Sequence, residues 1–427
     1  MMASMVIAGG RPLHGVVDVG GSKNGALPVL AASLLVPGET IVENVPDIED
    51  VATMIDMLRA LGVKVAPVGA GTLRIDATHI ASTSAPHEIV RKMRASFYVA
   101  GPLLARCGEA TVPVPGGCVL GPRPVNFHVE GFNALGAQVT EQHGVVHAKA
   151  RRLRGARVFL DPRFRSVGAT HNIMMAAVMA EGTTIIENAS REPETVDCAR
   201  FLNKCGARIA GSGSATIVID GVKELRGCRH RVIPDRMEAG TFLIAGAATR
   251  GDVTVRGVDL THLEVQLRTL RQAGAQLVTN GHSVRVIGEG RPKAFDTTTG
   301  PYPGFPTDMQ PCTVALMALA DGTSHMHETI FDARFGYTDE LLRMGARIRV
   351  VDQLAIVRGV EHLWGAPVEA SDIRAGAGIV VAALAAQGHT EISGAEFLDR
   401  GYENLVEKLA VLGAEVSRPG RRKLCWA

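Results

Sequence analysis

"GALPVLAASLLVPGETIVENVPDIEDVATMIDMLRALGVKV", residues 25–65, sets two unlike helices on either side of a turn and a short strand. The opening helix is built of small and apolar residues nearly all round, which a helix tolerates only when it is buried on every side. A Gly turn leads into β-branched strand text. A second helix follows, ends at a Gly, and gives way to another strand. The same order recurs from Arg94, Val167, Ala239, Asp308 and Ala375, at intervals of about 70 residues. The second helices, as in "LLRMGA" and "VEKLAVLGA", step their apolar residues by three and four with charges between, so each has one wet face. The strand text alternates, as in "TTIIEN" and "DVTVRG", which suits a sheet wet on one side.

Each copy therefore reads as a β-α-β-α-β module that hides one helix and exposes another. The expected fold class is α/β, with two lobes of three units each and the buried helices bundled inside each lobe. Solenoid repeats run about 20 to 50 residues, shorter than this interval, and the six copies differ greatly in their loops. Two lobes imply a cleft between them in which loop residues from distant units converge. The expected lobes are residues 1–22 with 234–427 and residues 23–233.

Composition narrows the function. With 46% hydrophobic and 21% charged residues the chain has the make-up of a globular protein, and a formal net charge of +2 offers no general attraction for nucleic acid or anionic lipid. Its apolar stretches end in Gly or Pro well short of the roughly 20 residues needed to cross a bilayer. The opening "MMASMVIAGGRPLHG" lacks the basic region and apolar core of a secretion signal, so a cytoplasmic location is expected. Seven scattered cysteines with no CxxC pair indicate neither a disulfide framework nor a zinc site.

Cations cluster instead at the edges of the units. "VGGSKNGALP" places Lys23 and Asn24 at the Gly-rich start of a buried helix, and "KMRASF" places Arg94 at the next. Backbone donors at a helix start together with a lysine make an anion site. "PGFPTDMQ" sets Asp308 just before the fifth buried helix, where a carboxylate can cap it. Arg334 follows in "ETIFDARF", Asp372 and Arg374 in "SDIRAG", and Arg400 in "FLDRGYE". Arginine forks grip carboxylate and phosphate with two bonds, so a cleft lined this way suits a small, multiply charged anion. One more segment stands apart. "VPVPGGCVLGPRPVNFH", residues 112–128, is too rich in Pro and Gly for a helix interior or a central strand, and it carries Cys118 and Arg123 on a loop.

Ten motifs, among them "SKNGALP", "PGGC…G.RPV..H", "SVGAT.N.M", "PDR.E.GTF", "GFPTDMQ", "DIRA" and "DRGYE", together resemble the UDP-N-acetylglucosamine 1-carboxyvinyltransferases, enolpyruvyl transferases that begin peptidoglycan precursor synthesis. The resemblance runs in order along nearly the whole chain. It implies an inside-out α/β barrel of six repeated units in two lobes, and transfer of the enolpyruvyl group of phosphoenolpyruvate to the 3'-hydroxyl of UDP-N-acetylglucosamine with release of phosphate. It further implies that Cys118, on a mobile loop of about residues 112–124, is the acid and can hold a covalent phospho-thioketal, and that Asp308 is the base. By the same resemblance Lys23, Arg123 and Arg400 hold the phosphate of phosphoenolpyruvate, with Asn24 beside them, and Arg334 and Arg374 its carboxylate. Lys23 is also placed among the catalytic residues.

For the nucleotide sugar, the resemblance assigns Asn24 and Arg94 to the sugar and diphosphate, and Arg123, Pro124, Val125, Asn126 and Phe127 to the uridine pocket. Ser166, Val167 and Gly168 form its second wall, and Asp308 and Ile330 complete the sugar site. Glu192 and Arg236 match as well, with structural roles equally open. Two departures stand out: Asn126-Phe127 replaces the usual Asp-Leu, and a lysine found before "SVG" in some members is absent, leaving Arg163 or Arg165 to serve the diphosphate. No cofactor, metal, nucleic acid or membrane is implied, and a monomer is expected. The rivals are the sister enzyme acting on shikimate 3-phosphate, which does not use the Pro-Gly-Gly-Cys loop, and a silent paralogue that only binds a UDP-sugar.

Overall fold

The computed structural model describes residues 4–115, 125–162 and 165–418. They form two compact units, one of residues 4–20 and 234–418, the other of the described residues from 21 to 233.

In the first unit three helices, Arg236–Ala248, Gln310–Met317 and Ile373–Ala385, pack on one another, and almost every residue in them is buried. Small residues set how closely they approach. A Cβ placed on Gly378 would lie 2.7 Å from the backbone carbon of Pro311, so only Gly fits at that crossing. In the second unit Lys23–Ala32 and Val167–Ala177 are largely buried, and Ala100–Cys107, buried over its first five residues, packs on Val167–Ala177.

Around each helix trio stand three sheets, each built on three antiparallel strands. In one, Asp252–Arg256 pairs with Ser283–Ile287, which pairs with Gln276–Asn280, and His14–Asp18 adds a parallel fourth strand from far away in the chain. A second takes Thr323–His327, Leu354–Arg358 and Arg347–Val351, with Thr297–Thr298 as its parallel strand. The third pairs Met5–Ala8 antiparallel with both His389–Ser393 and Glu415–Ser417. In the second unit Arg229–Arg231 and Arg157–Phe159 are the imported parallel strands, and a single parallel bridge from Ser84 to Thr111 takes that position in the three-stranded sheet.

The Gly after each outer helix has a physical reason. Gly62, Gly136, Gly206, Gly274, Gly345 and Gly413 all have φ between 86° and 105°, a left-handed conformation in which other residues are strained. One residue on, the amide of Val63 donates to the Leu58 carbonyl, and Ala137, Ala207, Ala275, Ala346 and Ala414 repeat that bond to the carbonyl five residues back. This closure satisfies the last carbonyls of the helix and turns the chain into the next strand. The small residue after each Gly is buried or half-buried beneath that turn.

Candidate functional site

Within the unit of residues 234–418, the starts of two buried helices bring opposite charges together. Asp372 caps Ile373–Ala385, its Oδ1 accepting from the amides of Arg374 at 2.8 Å and Ala375 at 3.1 Å. That cap orients Arg374, whose Nε donates to Asp308 Oδ2 at 3.0 Å and whose Nη1 lies 3.5 Å from the Tyr402 hydroxyl. From the bend after Thr323–His327, Arg334 donates through Nη2 to the Thr307 carbonyl at 3.3 Å and lies 3.5 Å from Asp308 Oδ1. Both arginines are buried, at 5% and 2% exposure, whereas the Asp308 side chain keeps 28%.

Two guanidinium charges therefore share one carboxylate here, and Arg334 Nε is buried with no hydrogen-bond partner. A buried cation without its full complement of partners is costly, and a second anion at this point would remove the cost. Burial opposes the charge on Arg374, but Asp308, Tyr402 and Asp235 together outweigh burial and hold the guanidinium above its ordinary pKa. Tyr402 is raised by burial, and Cys312, buried beneath, is pushed up to about 11 for the same reason.

Asp308 is not the cap of the helix that follows. It lies in a tight turn, Thr307–Met309, and Met309 precedes Gln310–Met317 without a side-chain cap bond, so its carboxylate serves the arginines instead. Ile330 sits in the same bend as Arg334, its amide donating to Glu328 Oε1 at 2.8 Å. Glu328 is fully buried and also accepts from Thr299 and Thr307, which fixes the bend against the Asp308 turn. Arg400 is half-buried at the end of the short helix Glu396–Asp399. Arg236 opens Arg236–Ala248, buried, with its guanidinium carbon 5.4 Å from the centre of the Tyr302 ring.

In the other unit, Lys23 is the first residue of Lys23–Ala32, behind the Ser22 cap, and Asn24 follows it half-buried. Lys23 Nζ lies 2.7 Å from Asp50 Oδ2, and both side chains are largely buried. The nucleotide-sugar candidates gather around one amide. Asn172, inside Val167–Ala177, accepts from the Gly101 amide at 2.9 Å and donates to the Phe97 carbonyl at 2.9 Å and to His128 Nδ1 at 2.9 Å. Four segments are joined by it: the short helix Arg94–Val99, the helix Ala100–Cys107 that continues it, the helix Asn126–Ala134, and Val167–Ala177 with its Ser166 cap. Arg94, half-buried, Asn126, exposed, Phe127, half-buried, and Ser166, Val167 and Gly168 thus stand at the starts of helices held by a common side chain. Val125 is buried just before the second of them. Arg165 has φ of 37°, and its Nε is buried with no hydrogen-bond partner. Glu192 precedes Pro193–Lys204 and accepts from the Ser190 hydroxyl. Cys118, Arg123, Pro124 and Arg163 lie outside the described residues.

The residue types at Asn172 and His128 were visible in the motifs "SVGAT.N.M" and "G.RPV..H", but the bond between them was not. Because the Asn172 oxygen accepts from Gly101, its NH₂ faces His128, which must present a bare Nδ1 and therefore be neutral. Burial, with Arg94 and His171 nearby, lowers the pKa of His128 to about 3, and burial lowers His171 to about 4 against the opposing pull of Glu194. Unfolded, both titrate near 6.5. Their contribution to stability is complete above that value. It declines as the pH falls through about 6.5, because the unfolded chain then takes up protons that the folded chain refuses. Between pH 7 and 5 the wild type should lose about 2 kcal/mol more than a His128→Gln variant, read from urea midpoints at the two pH values. Equal losses in the two proteins would remove His128 from this account.

The chain matches, over residues 7–409, a model of the family described as EPSP synthase (3-phosphoshikimate 1-carboxyvinyltransferase). It is 50% identical over 420 residues to UDP-N-acetylglucosamine 1-carboxyvinyltransferase 2 of Symbiobacterium thermophilum, covering 98% of each chain. It is 49% identical over 417 residues to UDP-N-acetylglucosamine 1-carboxyvinyltransferase of Geobacter metallireducens, covering 98% of this chain and 99% of that one. Among solved structures it is similar to the enolpyruvyl transferase NikO from Streptomyces tendae, with a TM-score of 0.89 at 26% identity over 98% of this chain and 99% of that one. EPSP synthase from Acinetobacter baumannii, at 19% identity and a TM-score of 0.76 over 97% and 100% of the two chains, shares the fold.

Proposed function

Because the chain belongs to the EPSP synthase family and stands among its UDP-N-acetylglucosamine 1-carboxyvinyltransferases, we propose how its residues divide the work of that reaction. The enzyme transfers the enolpyruvyl group of phosphoenolpyruvate to the 3'-hydroxyl of UDP-N-acetylglucosamine, the first committed step of peptidoglycan precursor synthesis. Addition joins the sugar oxygen to C2 of phosphoenolpyruvate while C3 gains a proton. Elimination then breaks the C2–O bond to phosphate and removes a proton from C3. Addition needs a donor for C3 and a base for the sugar hydroxyl.

Cys118 is the donor and Asp308 the base. The crowded carboxylate supports a particular sequence of events. Arg334 and Arg374 bind the carboxylate of phosphoenolpyruvate, and in the resting protein Asp308 occupies the guanidinium groups that this carboxylate would take. An arriving substrate carboxylate displaces Asp308 from one of them, so the base is released only when there is something for it to act with. Lys23, Asn24, Arg123 and Arg400 hold the phosphate, and their charges stabilise it as it leaves.

Arg94 and Arg165 take the diphosphate, Asn24, Asp308 and Ile330 the sugar, and Arg123 to Phe127 with Ser166, Val167 and Gly168 the uridine. In that pocket Asn126 supplies no charge and Phe127 a larger apolar wall than the usual Asp-Leu. Donor, base and cations all come from the chain, so the proposal includes no cofactor or metal. It also makes the enzyme a cytoplasmic monomer. Among the described residues no helix is long and apolar enough to cross a membrane.

The observation that carries this division of roles is the pair of buried guanidinium groups on one carboxylate. The overall reading is tested by phosphate release from phosphoenolpyruvate with each acceptor in turn. Release is expected with UDP-N-acetylglucosamine and not with shikimate 3-phosphate. Release with shikimate 3-phosphate alone would assign the chain to the sister activity, and binding of the UDP-sugar without release would make it a silent paralogue.

A further inference from the structure

Cys205 and Cys228 are 23 residues apart in the chain, yet their sulfurs lie 3.3 Å apart, with the Cys205 thiol donating to Cys228 Sγ. Cys205 closes the helix Pro193–Lys204 and is buried; Cys228 leads into the strand Arg229–Arg231 and is half-exposed. The two segments are held together independently of the sulfurs. The Arg226 amide donates to the Cys205 carbonyl at 2.8 Å, and Asp197 on the same helix accepts from His230 Nε2 at 3.1 Å and from the Ile233 amide at 3.3 Å. The Cys228 carbonyl in turn accepts from the Ile41 amide at 2.9 Å.

We propose that Cys205 and Cys228 are a redox-modifiable pair that closes to a disulfide when the protein meets a small-molecule disulfide. Closure needs the sulfurs to move from 3.3 Å to bonding distance, about 2.05 Å, while hydrogen bonds already hold the two segments side by side. The two thiols differ in the way such a reaction uses. Cys228 can be reached from solvent, and the hydrogen bond from Cys205, aided by Lys204, lowers its pKa against the effect of burial. Cys205 is inaccessible and pushed up by the hydrogen bond to Cys228 and by burial. Cys228 is therefore the attacking thiolate and Cys205 the resolving thiol.

Cys228 Sγ attacks one sulfur of the reagent, whose S–S bond breaks and whose other half leaves as a thiolate. Cys205 then gives up its proton, attacks Cys228 Sγ, and expels the second half. The protein loses two protons and two electrons, and the reagent is reduced to two thiols. Neither cysteine is among the residues assigned to enolpyruvyl transfer.

The test treats the full-length protein with an aromatic disulfide that releases a coloured thiol, followed by peptide mapping without reduction. The wild type should yield a peptide linking Cys205 to Cys228 and no reagent retained on either. Cys228→Ser should lose the link entirely, and Cys205→Ser should retain the reagent on Cys228 because nothing resolves it. A reducing agent should restore both thiols in the wild type. Since Cys205 is buried and its variant could fold poorly, the wild-type map and Cys228→Ser decide the matter by themselves. Reagent persisting on Cys228 in the wild type, a link from Cys205 to Cys198, or no reaction at Cys228 would each overturn the proposal.

Discussion

An Asp308→Asn variant releases phosphate about a thousandfold more slowly than the wild type, within the range expected for a lost general base, and binds phosphoenolpyruvate at least as tightly. The first half of that result follows from removing the proton acceptor. The second follows from the charges around it: Asp308 engages Arg374 and Arg334 in the resting protein, and an amide at that position leaves two buried guanidinium groups without the carboxylate they share. The substrate carboxylate then enters without competition. Calorimetric titration with phosphoenolpyruvate and single-turnover phosphate release separate the two effects. Cys118→Ala provides the contrast, since it should also stop turnover but leave the affinity for phosphoenolpyruvate unchanged. If Asp308→Asn kept turnover within tenfold of wild type, Asp308 would be a structural counter-ion only.

Lys23→Met lowers stability, by up to about 3 to 5 kcal/mol, as well as abolishing transfer, because it takes from the buried Asp50 carboxylate the cation 2.7 Å away. Asp50 then loses the cation that stands 2.7 Å from its carboxylate. Removing the second charge as well, in Lys23→Met with Asp50→Asn, should recover most of the lost stability and none of the activity. Thermal unfolding of the three proteins, with phosphate release from each, distinguishes the two functions of one lysine. Recovery of transfer in the double variant would mean that Lys23 only neutralises Asp50 and never meets the phosphate of the substrate.

The fold was legible wherever a pattern had one physical cause. A helix apolar on all sides has nowhere to go but the centre, and the Gly that closes each outer helix is needed at φ near +90°, so both recur in the text as they do in space. The cations at helix starts were legible for the same reason, because their position relative to a Gly turn is local. What the text hid was pairing over distance. Asp50 reads as an ordinary acid in the first turn of Glu49–Ala60, and nothing nearby marks it as the partner of Lys23. Tyr402 stands in "DRGYE" without a hint that its hydroxyl meets Thr241 at 2.9 Å and approaches Arg374. Asp308 was open to a capping role because a carboxylate before a helix usually caps it, and only the approach of two arginines shows otherwise. The loop residues Cys118, Arg123 and Pro124, outside the described residues, take their roles from their motifs.

The strand pairings also set a timetable for synthesis on the ribosome. Residues 5–8 pair with 389–393 and 415–417, so this strand has no partner until about 380 further residues have been made. At ordinary elongation rates that wait is about 20 to 80 s. Residues 21–233 need no such late arrivals for their own sheets and can finish first. Once residue 233 has been made, then, the nascent chain carries one completed half and an apolar strand still waiting, a period in which a chaperone bound to residues 5–18 would shield that strand.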